Sequence, residues 1–142
     1  KIITAKNNDS RVVKLLNDNL INNNLVKKAF LINWKAKCQW GDESKKENSS
    51  GESILIPIEI SKNEGKLIRS VGYAESVQVI SLYKLLDDGT LIIYSNYNQI
   101  STEERIWFLS DNLRSRSSVT RAVDSLAILQ TSYASEIRYL KK

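Results

Sequence analysis

Charged residues of both signs recur at every second position through the last third of this chain. Glu104 leads into Arg105-Ile106-Trp107-Phe108, Arg114 and Arg116 alternate with Ser115 and Ser117, and the stretch closes on Ser135-Glu136-Ile137-Arg138. In extended chain, side chains two apart share a face. Arg114, Arg116 and Ser118 therefore fall together, as do Glu136 and Arg138. Guanidinium forks grip carboxylates bidentately in a way lysine does not, and a carboxylate shielded from water can hold or move a proton. On a surface strand such residues are solvated or pair with one another. Turned into a small barrel they make a polar cavity suited to an anion, since burial without partners is costly.

Other chemistries are excluded by composition. The 142 residues contain no histidine, one cysteine and no methionine. That removes Ser-His-Asp and Cys-His triads, histidine-containing metal sites, and thiolate zinc or iron–sulfur sites. No metal is expected. A lone Cys38 forms no internal disulfide and fits a reducing compartment. With 21 Lys and Arg against 16 Asp and Glu, the chain carries +5, which suits nucleic acid, an anionic surface, an acidic partner or simply a solvated basic exterior. The apolar runs, such as Ile54-Leu55-Ile56 and Leu91-Ile92-Ile93, are far shorter than the ~20 residues of a spanning helix. Lys1 to Lys6 lack the features of a signal peptide. Zero methionines, with Lys1 first, suggest part of a longer product.

The elements that must position these residues are mostly strands. Asp9-Ser10 offers a helix N-cap, with Val12, Val13, Leu15, Leu16 and Leu20 on one stripe and Asn22-Asn23-Asn24 ending it. From Phe30 the period becomes two: Ile32, Trp34, Ala36, Cys38 and Trp40 make an apolar, aromatic face. Gly41 to Gly51 reads as a polar loop. Strands follow at Ser53–Ile60, where Pro57 favours an edge or bulge, and at Lys66–Tyr73, Ser76–Leu86, Thr90–Tyr97, Glu103–Leu109, Leu113–Val123 and Ala127–Arg138. Asp87-Asp88-Gly89 and Asp111-Asn112 read as hairpin turns. The length is that of one domain, residues 1–142, and the strand spacing argues for an antiparallel barrel or sandwich.

Taken in order, several segments resemble the S-type phycobiliprotein lyases, the bilin chromophore lyases. They are Trp34 and Trp40 six apart, Ser53-Ile54-Leu55-Ile56-Pro57-Ile58, Gly65 to Glu75, Tyr83-Lys84-Leu85-Leu86-Asp87-Asp88-Gly89-Thr90-Leu91, Glu103 to Phe108, Asn112 to Val119, and Tyr133 to Arg138. The resemblance implies an all-β fold, a lipocalin-like antiparallel β-barrel with one short α-helix. It implies a protein that binds a linear tetrapyrrole non-covalently and presents it to an apo-phycobiliprotein, whose cysteine adds to the ring A ethylidene to form a thioether. The family's usual N-terminal helix and first strand have no counterpart before Lys1, so residues missing from the chain are expected there. Cys38 stands where relatives often have methionine.

On this resemblance Arg114, Arg116 and Ser118 meet the propionates of the bilin, while Glu104 and Glu136 meet its pyrrole nitrogens as the catalytic acids. Arginines paired with nearby carboxylates, and a Glu136–Arg138 pair, are the plain alternatives. Trp34 and Trp40 suit stacking on the conjugated rings and suit core packing equally. Trp107 alternates away from Glu104 and marks a partner or homodimer surface. Cys38 has apolar neighbours that would raise its pKa, against covalent carriage. Tyr73, Tyr83, Tyr94 and Tyr97 read mainly as barrel wall.

Three functions follow from different classes. The first is a phycobiliprotein lyase, with phycoerythrobilin favoured over phycocyanobilin because the Asn-, Lys- and Ile-rich composition suggests a low-GC genome of the kind often paired with phycoerythrin. The second is a non-catalytic bilin or lipid carrier. The third is a nucleic-acid-binding barrel, motivated by charge and aromatic residues. The lyase reading expects bilin as substrate, no permanently bound cofactor, no nucleic-acid partner, no membrane insertion, and a place in the cytoplasm or a plastid stroma.

Overall fold

A helix forms where apolar spacing and cap agree. In a computed structural model of the chain, which describes residues 2–3, 9–22, 24, 26–37, 48–71 and 78–137, helix α1 (Ser10–Asp18) starts on Asp9, whose carboxylate accepts from the Arg11 backbone N–H at 3.0 Å. That satisfies one of the donors a first turn leaves open. Val12, Leu15 and Leu16 are buried. The helix ends before the asparagine run. Leu20 takes a left-handed φ of 55°, its N–H donates to the Asn17 carbonyl at 3.0 Å, and the Ile21 N–H donates to the Leu16 carbonyl at 2.9 Å. This is a Schellman stop with leucine where glycine is usual. Leu20 consequently leaves the stripe on which its spacing put it and is 97% exposed.

The chain divides into two compact units, Lys1–Pro57 with Ile68–Gln78, and Ile58–Leu67 with Val79–Lys142. Among the described residues nine strands follow one another as hydrogen-bonded neighbours in sequence order. No described helix is long and apolar enough to cross a membrane.

In the first unit β1 (Ile2–Ile3) pairs antiparallel with β2 (Ala29–Lys37), and β2 with β3 (Asn48–Ser61). The β2–β3 register sets Phe30 opposite Leu55 and Lys37 opposite Asn48. Asn48 to Gly51, expected in a polar loop, are therefore strand. Ladder bonds use main-chain groups and do not require apolar side chains. Pro57 lies beyond the β2 ladder, which stops at Leu55, so its missing N–H costs no bond on that side. Ala29, Ile54, Ile56 and Ile68 are buried, and Arg11 ties the helix to β3 through Glu52 at 2.6 Å.

The second unit is a meander of β5 (Val79–Leu85), β6 (Leu91–Tyr97), β7 (Ile100–Ser110), β8 (Leu113–Ala122) and β9 (Ile128–Ile137), joined by the hairpin end of β3 with β4 (Glu64–Arg69). The Asp87–Gly89 turn forms as expected: Gly89 has φ 82°, and Asp88 accepts from the Thr90 N–H at 2.8 Å. Asn98-Gln99 makes a two-residue turn between paired Tyr97 and Ile100, so β7 begins three residues ahead of the expected Glu103. Tyr73 and Arg138 lie outside the described residues. Gly65 is needed for space: a Cβ there would meet the Ile58 carbonyl oxygen at 2.2 Å and the Tyr83 ring at 2.6 Å.

Two outcomes follow. Gly65→Ala is expected to lose about 1–3 kcal/mol in urea unfolding, because the obstacle includes backbone. The Asp9 carboxyl is held at about 2, below its ordinary 3.8, first by the Arg11 side chain and then by the Arg11 N–H. A lowered folded-state pKa gives stability that is present above 3.8 and lost as pH falls toward 2. Asp9→Asn should melt below the parent at neutral pH, with the difference shrinking across that acid window.

Candidate functional site

The charged positions of the last third assemble on one face of β7, β8 and β9, within the second unit. Antiparallel pairing sets Glu104 opposite Ser118, Ile106 opposite Arg116 and Phe108 opposite Arg114. On the other side of β8, Arg114 faces Glu136, Arg116 faces Ala134 and Ser118 faces Ser132. Directly opposed residues share a face, and diagonal neighbours lie within reach of long side chains.

A bulge decides which face that is. The Asp111-Asn112 turn sets Ser110 opposite Leu113, yet the next pair is Phe108 with Arg114, leaving Leu109 unmatched. Without this extra residue the ladder would pair Leu109 with Arg114 and carry both arginines to the Trp107 side, since a one-residue slip inverts every side chain.

The four charges form an alternating chain, Glu104, Arg116, Glu136, Arg114. Arg116 Nη1 lies 3.5 Å from Glu104 Oε1, and its Nη2 lies 3.0 Å from Glu136 Oε1. Arg114 Nε donates to Glu136 Oε2 at 2.5 Å, and Arg114 Nη2 contacts the same oxygen. Glu136 thus offers one oxygen to each guanidinium. Side-chain exposure rises along the chain from 3% at Glu104 through 20% and 31% to 39% at Arg114. The inner acid is sealed and the outer pair meets solvent. Beside the outer pair is a cleft of about 240 Å³ lined by Phe108, Asn112, Arg114, Glu136 and Ile137. That is below the roughly 300–1,000 Å³ of a pocket enclosing a drug-sized ligand, so the cleft is too small to enclose one.

The remaining expected positions divide. Ser118 joins the face, with its hydroxyl bonded to Ser132 at 2.7 Å. Glu136 pairs with two arginines across the sheet, and Arg138 is outside the described residues. Trp34 sits in β2 opposite Gly51, with its side chain outside what is described; Trp40 and Cys38 lie outside the described residues altogether. Trp107 is on the opposite face, as its alternation requires. Its ring centroid is 6.2 Å from that of Tyr133 at 57°, and the Tyr133 hydroxyl donates to buried Ser115 at 3.0 Å.

A row of hydroxyls on the charged face was not anticipated. Ser81 and Ser95 are opposed on β5 and β6 and bonded at 2.7 Å, Ser95 faces Thr102, and Thr102 bonds Thr120 at 3.0 Å. The available signal was parity: Thr102 and Thr120 each lie two residues from a position already assigned to that face.

Comparison with known proteins fits this architecture. The family model for CpeS-like protein matches residues 1–139. "Chromophore lyase CpcS/CpeS 3" of Trichodesmium erythraeum is 39% identical over 111 residues, covering 77% of this chain and 62% of the relative. "Chromophore lyase CpcS/CpeS 4" of the same organism is 30% identical over all 142 residues, 70% of the relative. "Phycocyanobilin lyase subunit CpcS" of Picosynechococcus is 27% identical over 85% of this chain and 61% of its own. The chain therefore spans about three-fifths of the length of the first and third of these. Among solved structures, the S-type phycobiliprotein lyase CPES from Guillardia theta superposes with a TM-score of 0.80 at 23% identity, over 100% of this chain and 76% of that one. A likeness of that kind shows the fold, the lipocalin-like antiparallel architecture with a short helix.

The burial gradient makes a stability prediction. Arg116→Met strips a cation from a sealed carboxylate and is expected to cost about 3 kcal/mol in urea unfolding, with most of the loss recovered when Glu104→Leu is added. Arg114→Ala, at the exposed end, should cost no more than about 1 kcal/mol.

Proposed function

The chain belongs to the family of CpeS-like proteins, and on that footing we propose that it is a single-domain phycobiliprotein lyase acting on a linear tetrapyrrole. The observation that carries this reading is the two-acid, two-arginine chain on one sheet face, sealed at Glu104 and open at Arg114 beside the cleft. A bilin has two propionates on a long conjugated body. Guanidinium forks suit the propionates, and a cleft too small for the whole molecule suits one end of it.

In this reading Arg114 and Arg116 anchor the propionates, with Ser118 adding a hydroxyl. Glu104 lies under the pyrrole nitrogens, where a carboxylate favours the protonated, electron-poor tetrapyrrole and makes ring A more electrophilic. Glu136 is the second acid. Trp34 and Trp40 stack on the ring system. The acceptor cysteine of an apo-phycobiliprotein adds its sulfur to the ethylidene carbon of ring A. The electron pair moves into the conjugated system and is taken up by a proton, so a thiol S–H adds across a C=C bond and nothing leaves. The protein holds the reactants in register and keeps the proton inventory. Phycoerythrobilin is the preferred substrate and phycocyanobilin the second choice, on compositional grounds alone.

A carrier of bilin or lipid is the competing reading. A nucleic-acid role gains little from this face, where among the described residues Arg114 and Arg116 are each engaged by a carboxylate.

The test is to load the purified protein with phycoerythrobilin or phycocyanobilin, add apo-subunit, and denature. Colour that stays with the subunit is the lyase result; colour lost on denaturation means a carrier. Glu104→Gln is expected to slow adduct formation by about 100-fold while bilin affinity, read from absorbance titration, changes far less.

A further inference from the structure

Glu136 is held differently from Glu104, and the difference has a chemical use. Glu104 is sealed in the sheet at 3% side-chain exposure. Glu136 reaches the arginines from β9, where every other described position is exposed, and its own side chain is 31% exposed. Its two oxygens divide between Arg116 at 3.0 Å and Arg114 at 2.5 Å, and it forms part of the cleft wall. A side chain so placed can rotate into water without repacking its surroundings. Counted by themselves, the four side chains set two acids against two bases. An incoming carboxylate added to them would leave one surplus negative charge beside the sealed Glu104, whereas a carboxylate taking the place of Glu136 would not.

We propose that Glu136 is an internal stand-in for a ligand carboxylate: it occupies the arginine forks of the empty protein, and a propionate of the linear tetrapyrrole displaces it on binding. The inference rests on the bilin-binding reading and deepens it. Exchange of one carboxylate for another leaves the charge at the forks unchanged, so the arginines give little net affinity to a stray anion, and selection falls to the rest of the ligand. Only a molecule that gains enough from its apolar body dislodges Glu136. Glu136 is thereby a specificity-determining residue before it is anything else.

Absorbance titration with phycocyanobilin and with its dimethyl ester tests this. Glu136→Gln keeps the size and removes the competitor, so the free acid is expected to bind about fivefold more tightly than to the parent, while affinity for the ester stays within about twofold. Glu136→Asp, charged but too short to span both arginines, should fall between, and it carries the test if the glutamine variant folds poorly by circular dichroism. Arg114→Gln should weaken the acid and spare the ester. Free-acid affinity that is unchanged or lower in both Glu136 variants, in a parent that binds bilin and transfers it, overturns the exchange and leaves the lyase reading standing. If the parent binds neither compound, both readings fall together.

Discussion

A carboxylate sealed in a sheet at 2% exposure is the constraint from which the rest of this site follows. A carboxylate so enclosed is stabilised by a cation within reach, and the neighbouring strand offers one on the same face. Arg116 supplies it from the diagonal position. Arg116 is long enough to serve a second acid, and Glu136 on the third strand takes its other nitrogen. Arg114 then closes the series where the sheet meets solvent. Each member lies where cross-strand geometry puts it, so the electrostatics and the register are one problem with one solution.

The two faces of the β5–β9 meander do different work. On one, charges and hydroxyls satisfy each other in rows that run across the sheet: Ser81 with Ser95, Thr102 with Thr120, Ser118 with Ser132. On the other, Trp107 leans on Tyr133, whose hydroxyl caps a buried Ser115. Small hydroxylated side chains fill little volume and can donate and accept within one row. A polar face can therefore be assembled without the penalty that isolated buried groups would carry.

Much of this was legible in the sequence because the side-chain period of a strand is a local property. The alternation from Phe30, the Asp87–Gly89 and Asp111-Asn112 turns, the Asp9 cap and the common face of Arg114, Arg116 and Ser118 all depend on residues a few positions apart. What escaped depends on other strands. Spacing along β9 carries no sign that Glu136 pairs across the sheet with two arginines. Asn48 to Gly51 looked like loop by composition, but main-chain pairing with β2 makes them strand. Leu20 kept its helical spacing while its backbone turned left-handed, a choice made by the hydrogen bonds of the stop rather than by the leucine. The hydroxyl row is visible only once five strands are aligned.

The unmatched Leu109 carries a consequence for how such a site can change over time. Sidedness on a strand has two values, so the charged chain cannot drift from one face to the other by degrees. A single residue gained or lost between Phe108 and Arg114 would send both guanidiniums to the far side in one step and part Arg116 from Glu104, whereas two residues gained or lost together would restore the original side. Descendants of this sequence should therefore tolerate length changes around that hairpin in pairs and refuse them singly, a counting rule written into the backbone by one leucine.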